Sequence, residues 1–347
     1  MAIQTPRIGY AGIGAYVPER VLTNEHMTQI VDTSDDWIQR RTGIQTRHIL
    51  AEGESILDMA VNAARIALED AGVEAGELGD IRVGVNTWMR FPSLASQLQK
   101  ELGADKASAA DVSAGCAGFI YAVEEAYNKL LVEKLCYGRD LTALVVGVDG
   151  LSHIANWTDR NTCVLLGDGA GAVVLKSVEQ GGILAIHTHA DGRHGGLLYS
   201  DPVLSPQNNG SPKLFSHKQE GQRPYLHMDG RRVYAIACET MARDARTVIE
   251  KYNAVNGDTI GVDDIAYVYP HQANMRIIET VAKKLGLPLE RVYHQGIRNY
   301  GNTSTASIPI GYADNRAHYG NGNPERLEID VAFGAGFASG AILRRAI

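Results

Sequence analysis

Residues 111–119 read Asp111-Val-Ser-Ala-Gly-Cys116-Ala-Gly-Phe119, and a helical pattern continues from Phe119 to about residue 135. A short apolar strand pattern precedes the cysteine, so Cys116 is predicted to lie at the N-terminus of a helix. Unpaired N–H groups and the positive end of the helix dipole favour a thiolate at such a position. Cys116 is therefore predicted to be a nucleophile that accepts an acyl group, with a buried structural cysteine as the alternative.

The same order of predicted elements occurs twice in the chain. The first half has a helix over 55–71, a strand over 81–85, a helix that closes at 102–103, a strand, and then Cys116. The second half has a helix over 233–252, a strand over 265–269, a helix that closes at 285–286, a further strand pattern, and then a small-residue helix opened by 301–304. Each half ends in a glycine-bearing hairpin. The repetition predicts a duplicated α/β fold in which helices pack against mostly apolar strands.

The boundary between the two halves is predicted at Gly181-Gly182. Residues 1–181 then form an N-terminal half that carries the cysteine, and residues 182–347 form a C-terminal half. Residues 191–222 are rich in Gly, Ser, Pro and Asn, and this composition predicts a long surface excursion from the second half.

The overall composition is that of a globular protein, with 347 residues of which 45% are hydrophobic and 21% charged. A formal net charge of -7 argues against a protein that binds nucleic acid or a membrane surface as a whole. The four cysteines are too far apart for a C-x-x-C pair and indicate reduced thiols. The N-terminus lacks a signal-peptide pattern and no apolar run is long enough to cross a bilayer, so the expected location is the cytoplasm.

Two further side chains stand at positions that the repeat relates to Cys116. His271 follows an apolar strand, and Asn302 occupies the place in the second half that Cys116 occupies in the first. Functional side chains are commonly presented at strand ends in α/β proteins. A thiol, an imidazole and an amide in one cleft would combine a nucleophile with donors for a developing oxyanion or enolate. The repeat therefore predicts a site formed by Cys116, His271 and Asn302.

The chain resembles the β-ketoacyl-acyl carrier protein synthase III family, whose members are condensing enzymes of the thiolase fold. The stretches that carry the resemblance run almost from end to end, and they are Gly14-Ala-Tyr-Val-Pro18, Thr33-Ser-Asp-Asp-Trp37-Ile-Gln-Arg-Arg41-Thr-Gly-Ile44, Cys116-Ala-Gly-Phe119, Trp157-Thr-Asp-Arg160, Gly167-Asp-Gly-Ala-Gly171, Met228-Asp-Gly230, Pro270-His-Gln-Ala-Asn-Met-Arg276, Tyr300-Gly-Asn-Thr-Ser304 and Phe333-Gly-Ala-Gly336.

The resemblance implies a thiolase-like fold with two pseudo-duplicated halves in a layered αβαβα architecture, assembled as a homodimer. It also implies an acyltransferase that loads an acyl group from coenzyme A onto the cysteine. The acyl group is then condensed with malonyl-acyl carrier protein, with release of carbon dioxide, as in the initiation of fatty acid biosynthesis. No metal and no tightly bound cofactor are expected, since the coenzyme A thioester is a substrate.

The resemblance further assigns roles in catalysis. Cys116 corresponds to the acylated nucleophile, and His271 and Asn302 to the residues that hold the malonyl thioester carbonyl and stabilise the enolate. The main-chain N–H groups of Cys116 and of the Gly334-Ala335-Gly336 turn correspond to the oxyanion hole. Phe333 corresponds to an apolar ring beside the carboxylate that is lost.

Other positions match the binding residues of the family. Trp37 and Arg160 correspond to the pair that sandwiches adenine, and Arg41 to a residue that meets the phosphates. Asn274 and Gly230 correspond to the pantetheine tunnel. Two further matches concern macromolecular contacts: Arg276 corresponds to a basic residue that meets the carrier protein, and Phe91 to a residue that crosses the dimer into the acyl pocket of the partner.

Some positions differ from the commonest family pattern, and they concern the substrate more than the chemistry. Gly115 stands where Ala is frequent, Ala335 replaces the middle Gly of its turn, and Ala338-Ser339 replaces a Thr-Trp pair. Trp88 lies in the segment that leads to the acyl pocket, and Arg231 stands where a smaller residue is often found. The starter acyl group therefore stays open.

Two alternative functions remain at this stage. A relative could use the same three residues to prime polyketide or quinolone synthesis, or to transfer the acyl group to another acceptor. A remote alternative is a metal-dependent hydrolase with His187, His189 and Asp191 as ligands, although Gly192 stands where the motif requires a further His.

Overall fold

The computed structural model describes residues 6–201, 224–316 and 326–346. The strands of this part are β1 (Ile8–Tyr16), β2 (Val21–Thr23), β3 (Thr46–His48), β4 (Leu78–Gly84), β5 (Ser108–Val112), β6 (Thr142–Gly150), β7 (Asp168–Ser177), β8 (Gly182–Ala190), β9 (Leu198–Ser200), β10 (Leu226–Met228), β11 (Ile265–Pro270), β12 (Leu327–Phe333) and β13 (Ala338–Arg345). The helices are α1 (Asn24–Thr28), α2 (Asp35–Thr42), α3 (Ile56–Ala71), α4 (Leu94–Leu102), α5 (Gly118–Tyr137), α6 (Gly230–Asn256), α7 (Met275–Leu285), α8 (Gln295–Tyr300) and α9 (Ser307–Asp314).

Two mixed sheets form the centre of the molecule. The first has the strand order β1-β7-β6-β4-β5 and the second has the order β11-β12-β13-β8. In the first sheet β4 pairs in parallel with β5 and with β6, and the remaining pairs are antiparallel. In the second sheet β11 pairs in parallel with β12, and the remaining pairs are antiparallel. Strands β4, β6, β7 and β1 thus have counterparts in β11, β12, β13 and β8.

Within the described residues, the second sheet lacks a full counterpart of edge strand β5. The strand pattern that the sequence shows after α7 is reduced to a single parallel bridge between Val268 and Val292. The residues directly before Val292 form a short 3-10 helix, Leu289–Arg291, instead of a strand. Because the first sheet draws on residues 8–177 and the second on residues 182–345, we propose that the two halves are structural repeats that divide at Gly181-Gly182.

The helices complete five layers. Helices α3 and α4 pack on the outer face of the first sheet, α6 and α7 pack on the outer face of the second, and α5 and α9 lie between the sheets. Successive side chains of β6 show why both sheet faces are covered. Val145 belongs to the core between the sheets, whereas Leu144 and Val146 belong to the core under α3. The predicted layered αβαβα architecture is confirmed.

The predicted helices are present with shifted ends. Ser55 caps α3 in a capping box with Asp58, which explains why this helix begins where its sequence pattern begins. Helix α6 extends over Gly230–Asn256 and so exceeds the predicted span of 233–252 at both ends. Most of the predicted surface excursion, residues 202–222, lies outside the described residues. No helix in the described ranges is both long enough and apolar enough to span a membrane.

Candidate active site

A cavity of about 980 Å³ brings the three predicted catalytic side chains together. Cys116, His271 and Asn302 all line it, although they come from three distant segments of the chain. Cys116 precedes the central helix α5, His271 follows β11, and Asn302 precedes α9. The cavity therefore lies near the N-terminal ends of the two central helices, α5 and α9, between the two sheets.

The cysteine loop is held by direct contact with the turn that joins β12 and β13. Gly115 has a φ of +55°, and a Cβ on it would lie 2.4 Å from the nitrogen of Ala335. A Cβ on Gly334 would lie 2.2 Å from the nitrogen of Cys116. Glycine at both positions lets the two main chains approach closely, so the backbone of Cys116 lies directly against this turn.

The Cys116 sulfur is more basic than its place before a helix predicts. Burial raises the pKa of the Cys116 thiol to about 12, and the buried Asp149 charge acts in the same direction. A hydrogen bond from Ser304 Oγ, 3.5 Å from the sulfur, and one from the cysteine's own N–H lower the pKa and offset part of this rise. Burial therefore opposes the thiolate that a position before a helix favours.

His271 is a buried, neutral imidazole. The residue is 2% exposed, and burial lowers the pKa of His271 to about 4. Its Nδ1 lies 2.7 Å from Ser307 Oγ, which also accepts a hydrogen bond from the N–H of Gln272 at 3.3 Å. The Ser307 hydroxyl can donate its one proton to Nδ1 while it accepts from Gln272, and we assign the ring proton to Nε2 on this arrangement. His271 can therefore donate a hydrogen bond from Nε2 at neutral pH.

Gln272 anchors the loop that carries His271. Its side-chain amide donates to the carbonyl groups of Pro270 at 2.7 Å and Tyr293 at 3.0 Å, and its oxygen accepts from the N–H of Ile297 at 3.1 Å. The residue is 1% exposed, so these bonds are shielded from water.

Asn302 is oriented as a second donor. Its backbone nitrogen donates to the carbonyl of Leu165 at 2.8 Å, and its carbonyl accepts from the N–H of Gly167 at 2.9 Å. Its side-chain Oδ1 accepts from the N–H of Ser304 at 2.9 Å. Because Oδ1 is occupied by this bond, the amide nitrogen is the group that Asn302 offers to a ligand.

A buried carboxylate joins loops from both halves beneath the cavity. Asp149 accepts hydrogen bonds from the backbone and side chain of Asn86, from the backbone and side chain of Thr87, and from the hydroxyl of Thr305, at 2.8–3.1 Å. Asn86 in turn donates to the carbonyl of Gly115 at 3.1 Å. Five donors satisfy the charge, so Asp149 fixes the loop before Cys116 and the segment after Asn302 relative to each other.

Two of the predicted nucleotide-binding residues, Trp37 and Arg41, line the same cavity, and Arg160 contacts Trp37 without being part of the lining. The guanidinium carbon of Arg160 lies 5.3 Å from the Trp37 ring centroid, and that of Arg41 lies 6.0 Å from it. Asn274 and Gly230 line the cavity as well. Asn274 also caps α7 and donates to the carbonyl of Arg41 at 3.2 Å, which links α2 to α7.

The remaining predicted residues divide between the cavity and the surface. Phe333 and Ala335 line the cavity, and Phe333 packs edge-on against Phe337 with ring centroids 5.0 Å apart. Arg276 is not part of the lining, and its guanidinium donates to the carbonyl of Arg40 at 2.9 Å. Phe91 also lies outside the cavity and is 98% exposed, so within one chain it reaches no acyl pocket.

The residues of the alternative metal site are engaged elsewhere. Asp191 forms a two-point ion pair with Arg193, with distances of 2.8 and 2.6 Å. The His187 imidazole lies 3.8 Å from the buried carboxylate of Asp244. Across the described residues, no cluster of three or more His, Cys, Asp or Glu side chains is placed to hold a metal ion.

The sequence analysis missed the polar residues that orient the three predicted ones. They are Asp149, Gln272, Ser304 and Ser307. The available signal was the run from Thr303 to Ser307, in which every residue except Ala306 carries a hydroxyl, and all of these hydroxyl residues are buried. Buried hydroxyls need partners, and here Ser304 contacts Cys116 and Ser307 contacts His271.

Comparison with known proteins identifies the family. The family model described as 3-oxoacyl-(acyl-carrier-protein) synthase III matches residues 110–192, and the model for its C-terminal part matches residues 257–346. A beta-ketoacyl-(acyl-carrier-protein) synthase III from Xanthomonas campestris is 44% identical over 337 residues, which cover 96% of this chain and 97% of the relative. A protein of the same name from Geobacillus kaustophilus is 42% identical over 97% of this chain and 98% of its own length.

Solved structures agree with this result. The 3-oxoacyl-(acyl-carrier-protein) synthase III from Aquifex aeolicus superposes with a TM-score of 0.84 at 38% identity, over 97% of this chain and 99% of that one. The priming beta-ketosynthase from the R1128 polyketide biosynthetic pathway superposes with a TM-score of 0.83 at 30% identity, over 99% of both chains.

The five-layered fold and the cavity lined by cysteine, histidine and asparagine define an acyl-transferring condensing enzyme of the thiolase-like fold. More closely, the chain belongs to the 3-oxoacyl-(acyl-carrier-protein) synthase III family.

Proposed function

We propose that this protein transfers an acyl group from acyl-coenzyme A to Cys116 and condenses it with malonyl-acyl carrier protein to give a 3-oxoacyl-acyl carrier protein, the activity of EC 2.3.1.180. The observation that carries the proposal is one cavity with two sets of lining groups. A thiol, a neutral imidazole and an amide form the catalytic set, and Trp37, which Arg41 and Arg160 contact, belongs to the other set, which we call the nucleotide end.

The first step is acyl transfer. The Cys116 sulfur attacks the thioester carbonyl carbon, the bond from that carbon to the coenzyme A sulfur breaks, and the proton lost by Cys116 leaves with coenzyme A as its thiol. The oxyanion that forms on the way would accept hydrogen bonds from the N–H groups of Cys116 and of the turn at Ala335. These groups are fixed before the substrate arrives, which is what makes such donors effective.

The second step is decarboxylative condensation. Cleavage of the malonyl C–C bond releases carbon dioxide and leaves its electron pair on the thioester as an enolate. Nε2 of His271 and the amide nitrogen of Asn302 donate to the enolate oxygen, which lowers the free energy of this charged species. The enolate carbon then attacks the acyl carbon, and Cys116 departs as a thiolate that regains a proton.

The histidine acts here as a hydrogen-bond donor and not as a cation. A pKa of about 4 keeps the ring neutral at neutral pH, and Nδ1 is engaged by Ser307. Phe333, buried to all but 4% of its surface and in the cavity wall, would present an apolar ring to the carboxylate that is lost. An apolar neighbour disfavours the charged carboxylate more than the neutral carbon dioxide.

The nucleotide end is proposed to hold coenzyme A. An adenine between Trp37 and Arg160 requires a separation of about 7 Å, twice the usual stacking contact, against the 5.3 Å observed. Arg160 donates to the carbonyl of Asp32 at 2.8 Å, so adenine binding would replace this bond. Arg41 carries the charge that would meet the phosphates, while Asn274 and Gly230 border the path of the pantetheine arm.

Two macromolecular partners are proposed. Arg276 is exposed at the first turn of α7, and its charge would attract an acidic carrier protein to a chain whose formal net charge is -7, whereas the neighbouring Arg40 is paired with Asp36. The second partner is another copy of the chain. Strand β5 has an unpaired outer edge within the described sheet, and the nearly fully exposed Phe91 needs apolar cover.

The proposed site of action is the cytoplasm, a compartment compatible with acyl-coenzyme A substrates and with the four free cysteines of this chain. The similarity to the R1128 priming beta-ketosynthase supports a second candidate, the priming of a polyketide with the same chemistry. The two candidates differ in starter and acceptor and not in the roles of Cys116, His271 and Asn302.

The experiment that tests the proposal separates the two steps. Intact-protein mass spectrometry after mixing with acetyl- to decanoyl-coenzyme A and aromatic starters should show a mass gain in the native protein and in His271→Ala, but not in Cys116→Ala. Decarboxylation of malonyl-carrier protein should persist in Cys116→Ala and fall in His271→Ala. Acylation at another residue, or normal decarboxylation by His271→Ala, would overturn the assignment, and Cys136→Ser is the control for exposed thiols.

A further inference from the structure

Ser304 contacts two of the three predicted catalytic residues. Its hydroxyl lies 3.5 Å from the Cys116 sulfur, and its backbone N–H donates to Oδ1 of Asn302 at 2.9 Å. It lines the cavity and is 3% exposed. Its side chain therefore faces the nucleophile, while its backbone holds the enolate-binding amide.

The sulfur needs a donor at this point. The negative charge of Asp149 opposes a thiolate, and His271, which lines the same cavity, is kept neutral by burial. Neither provides a positive charge. The Ser304 hydroxyl is the side-chain donor to the sulfur within the described residues.

We propose that Ser304 is a further catalytic residue, whose hydroxyl donates a hydrogen bond to the Cys116 thiolate when it forms and when it departs after condensation. This proposal rests on the acyl-transfer function proposed above. A thiolate is a strong acceptor and a thioester sulfur is a weak one, so the bond stabilises the charged sulfur and not the acyl-enzyme. The hydroxyl therefore assists both steps in which the sulfur carries charge.

The backbone of Ser304 allows a clean test. Its φ of +52° lies in the left-handed region, which glycine adopts freely and alanine does not. Ser304→Gly and Ser304→Ala both remove the hydroxyl and retain the N–H that holds Asn302. Serine already carries a Cβ at this φ, so Ser304→Ala removes the hydroxyl and adds no backbone strain, whereas Ser304→Gly also relieves the strain. A difference between the two variants therefore measures the strain, and their shared change measures the hydroxyl.

The first measurement is the alkylation rate of Cys116 by iodoacetamide in a Cys136→Ser background, with the modified residue located by peptide mass spectrometry. This readout requires no acyl substrate, so it is independent of the proposed function. Loss of a hydrogen bond to a charged acceptor should lower the thiolate population about 10- to 100-fold. The higher intrinsic nucleophilicity of a more basic thiolate offsets part of this, so the alkylation rate should fall about three- to tenfold.

Ser307→Ala is the matched control, because it removes a buried hydroxyl that contacts His271 and not the sulfur. Slower alkylation and slower acyl transfer in both Ser304 variants, with normal alkylation in Ser307→Ala, would support the proposal. Native alkylation rates in Ser304→Gly, or equal slowing in Ser307→Ala, would overturn it. If alkylation responds as expected but no acyl-coenzyme A acylates the native protein, the proposed function fails and the hydrogen bond stands.

Discussion

Gly334 and Cys116 are in main-chain contact, since a Cβ on the glycine would lie 2.2 Å from the cysteine nitrogen. The glycine follows β12 at the end of the second sheet, and the cysteine precedes the central helix, so the contact joins the two halves at the nucleophile. No side chain can be accommodated there without moving one of the two loops.

We therefore expect Gly334→Ala to reduce acyl transfer to Cys116 by about 100-fold or more, because displacement of a reacting group by about 1 Å can cost that much. The rate should be measured by rapid mixing with acyl-coenzyme A, followed by quenching and mass spectrometry. The matched control is Gly76→Ala, whose new Cβ meets no atom within 4 Å. Equal rates in Gly334→Ala and the native protein would show that this contact does not position the nucleophile.

The neutral state of His271 predicts a loss of stability in mild acid. The unfolded chain binds a proton on this histidine near the usual pKa of 6.5, whereas the folded chain does not until about pH 4. Stability from this group is therefore complete above about pH 6.5 and falls as the pH decreases towards 4. Between about pH 7.5 and pH 5, the free energy of unfolding should fall by about 2 kcal/mol on account of His271.

The contribution of His271 to the free energy of unfolding can be isolated with His271→Gln, which keeps a polar side chain but cannot titrate. Urea unfolding at the two pH values should show a smaller decrease for the variant than for the native protein, by about the amount given above. Identical decreases would show that folding does not lower the pKa of His271.

The stacked tryptophan predicts a selective effect on substrate affinity. Trp37→Ala should raise KM for acyl-coenzyme A by about tenfold and leave kcat nearly unchanged, since the ring contacts only the remote part of the substrate. The corresponding acyl-pantetheine, which lacks the nucleotide, should be used equally well by the variant and the native protein. A similar loss with acyl-pantetheine would place Trp37 in the structural core instead of a nucleotide site.

Arg41 offers a paired comparison on the same helix. Arg41→Ala should raise KM for acyl-coenzyme A, whereas Arg40→Ala should not, because Arg40 lies outside the cavity and its side chain is 72% exposed. Steady-state kinetics at two salt concentrations would test this, since a contact with phosphate weakens with added salt.

Phe91 predicts that starter choice depends on the neighbouring subunit. A Phe91→Ala homodimer should accept longer starters than the native enzyme, because each acyl pocket would lose a ring supplied by its partner. In a mixed dimer of Cys116→Ala and Phe91→Ala subunits, the functional cysteine would face the intact Phe91 of the Cys116→Ala subunit. The native starter preference should therefore return in the mixed dimer.

Co-expression with two affinity tags would provide the mixed dimer, and competition between two acyl-coenzyme A chain lengths would report its preference. Retention of the altered preference in the mixed dimer would mean that Phe91 acts within its own chain. Monomers in sedimentation velocity would exclude the arrangement altogether.

The fold could be predicted well because the sequence patterns that indicate it are either local or repeated in the two halves. Ser55 with Asp58 marks the start of α3, and the doubled order of elements reveals two sheets before any contact is known. For the site, the repeat predicted that Cys116 and Asn302 would occupy corresponding positions in the two halves. The shortened strand at Val292 was not foreseen, because an apolar strand pattern does not show how many partners the strand will find.

The electrostatics of the site could not be predicted from the sequence. Position before a helix predicted a thiolate at Cys116, whereas burial raises the pKa of that thiol. Desolvation depends on side chains from several segments, and one of them, Asp149, stands 33 residues further along the chain and adds charge of the unfavourable sign. The exposure of Phe91 likewise depends on the folded surface and could not be predicted from the residues next to it in the sequence.

The five hydrogen bonds to Asp149 have a consequence for how such enzymes can be modified. One carboxylate holds the loop at Asn86 and Thr87 together with Thr305 from the other half, so neither loop is an independent module. A chimera that imports the acyl pocket of a relative through one of these loops alone would leave donors or the carboxylate unsatisfied. Transplants of substrate preference into this scaffold should therefore carry both loops and the aspartate as one unit.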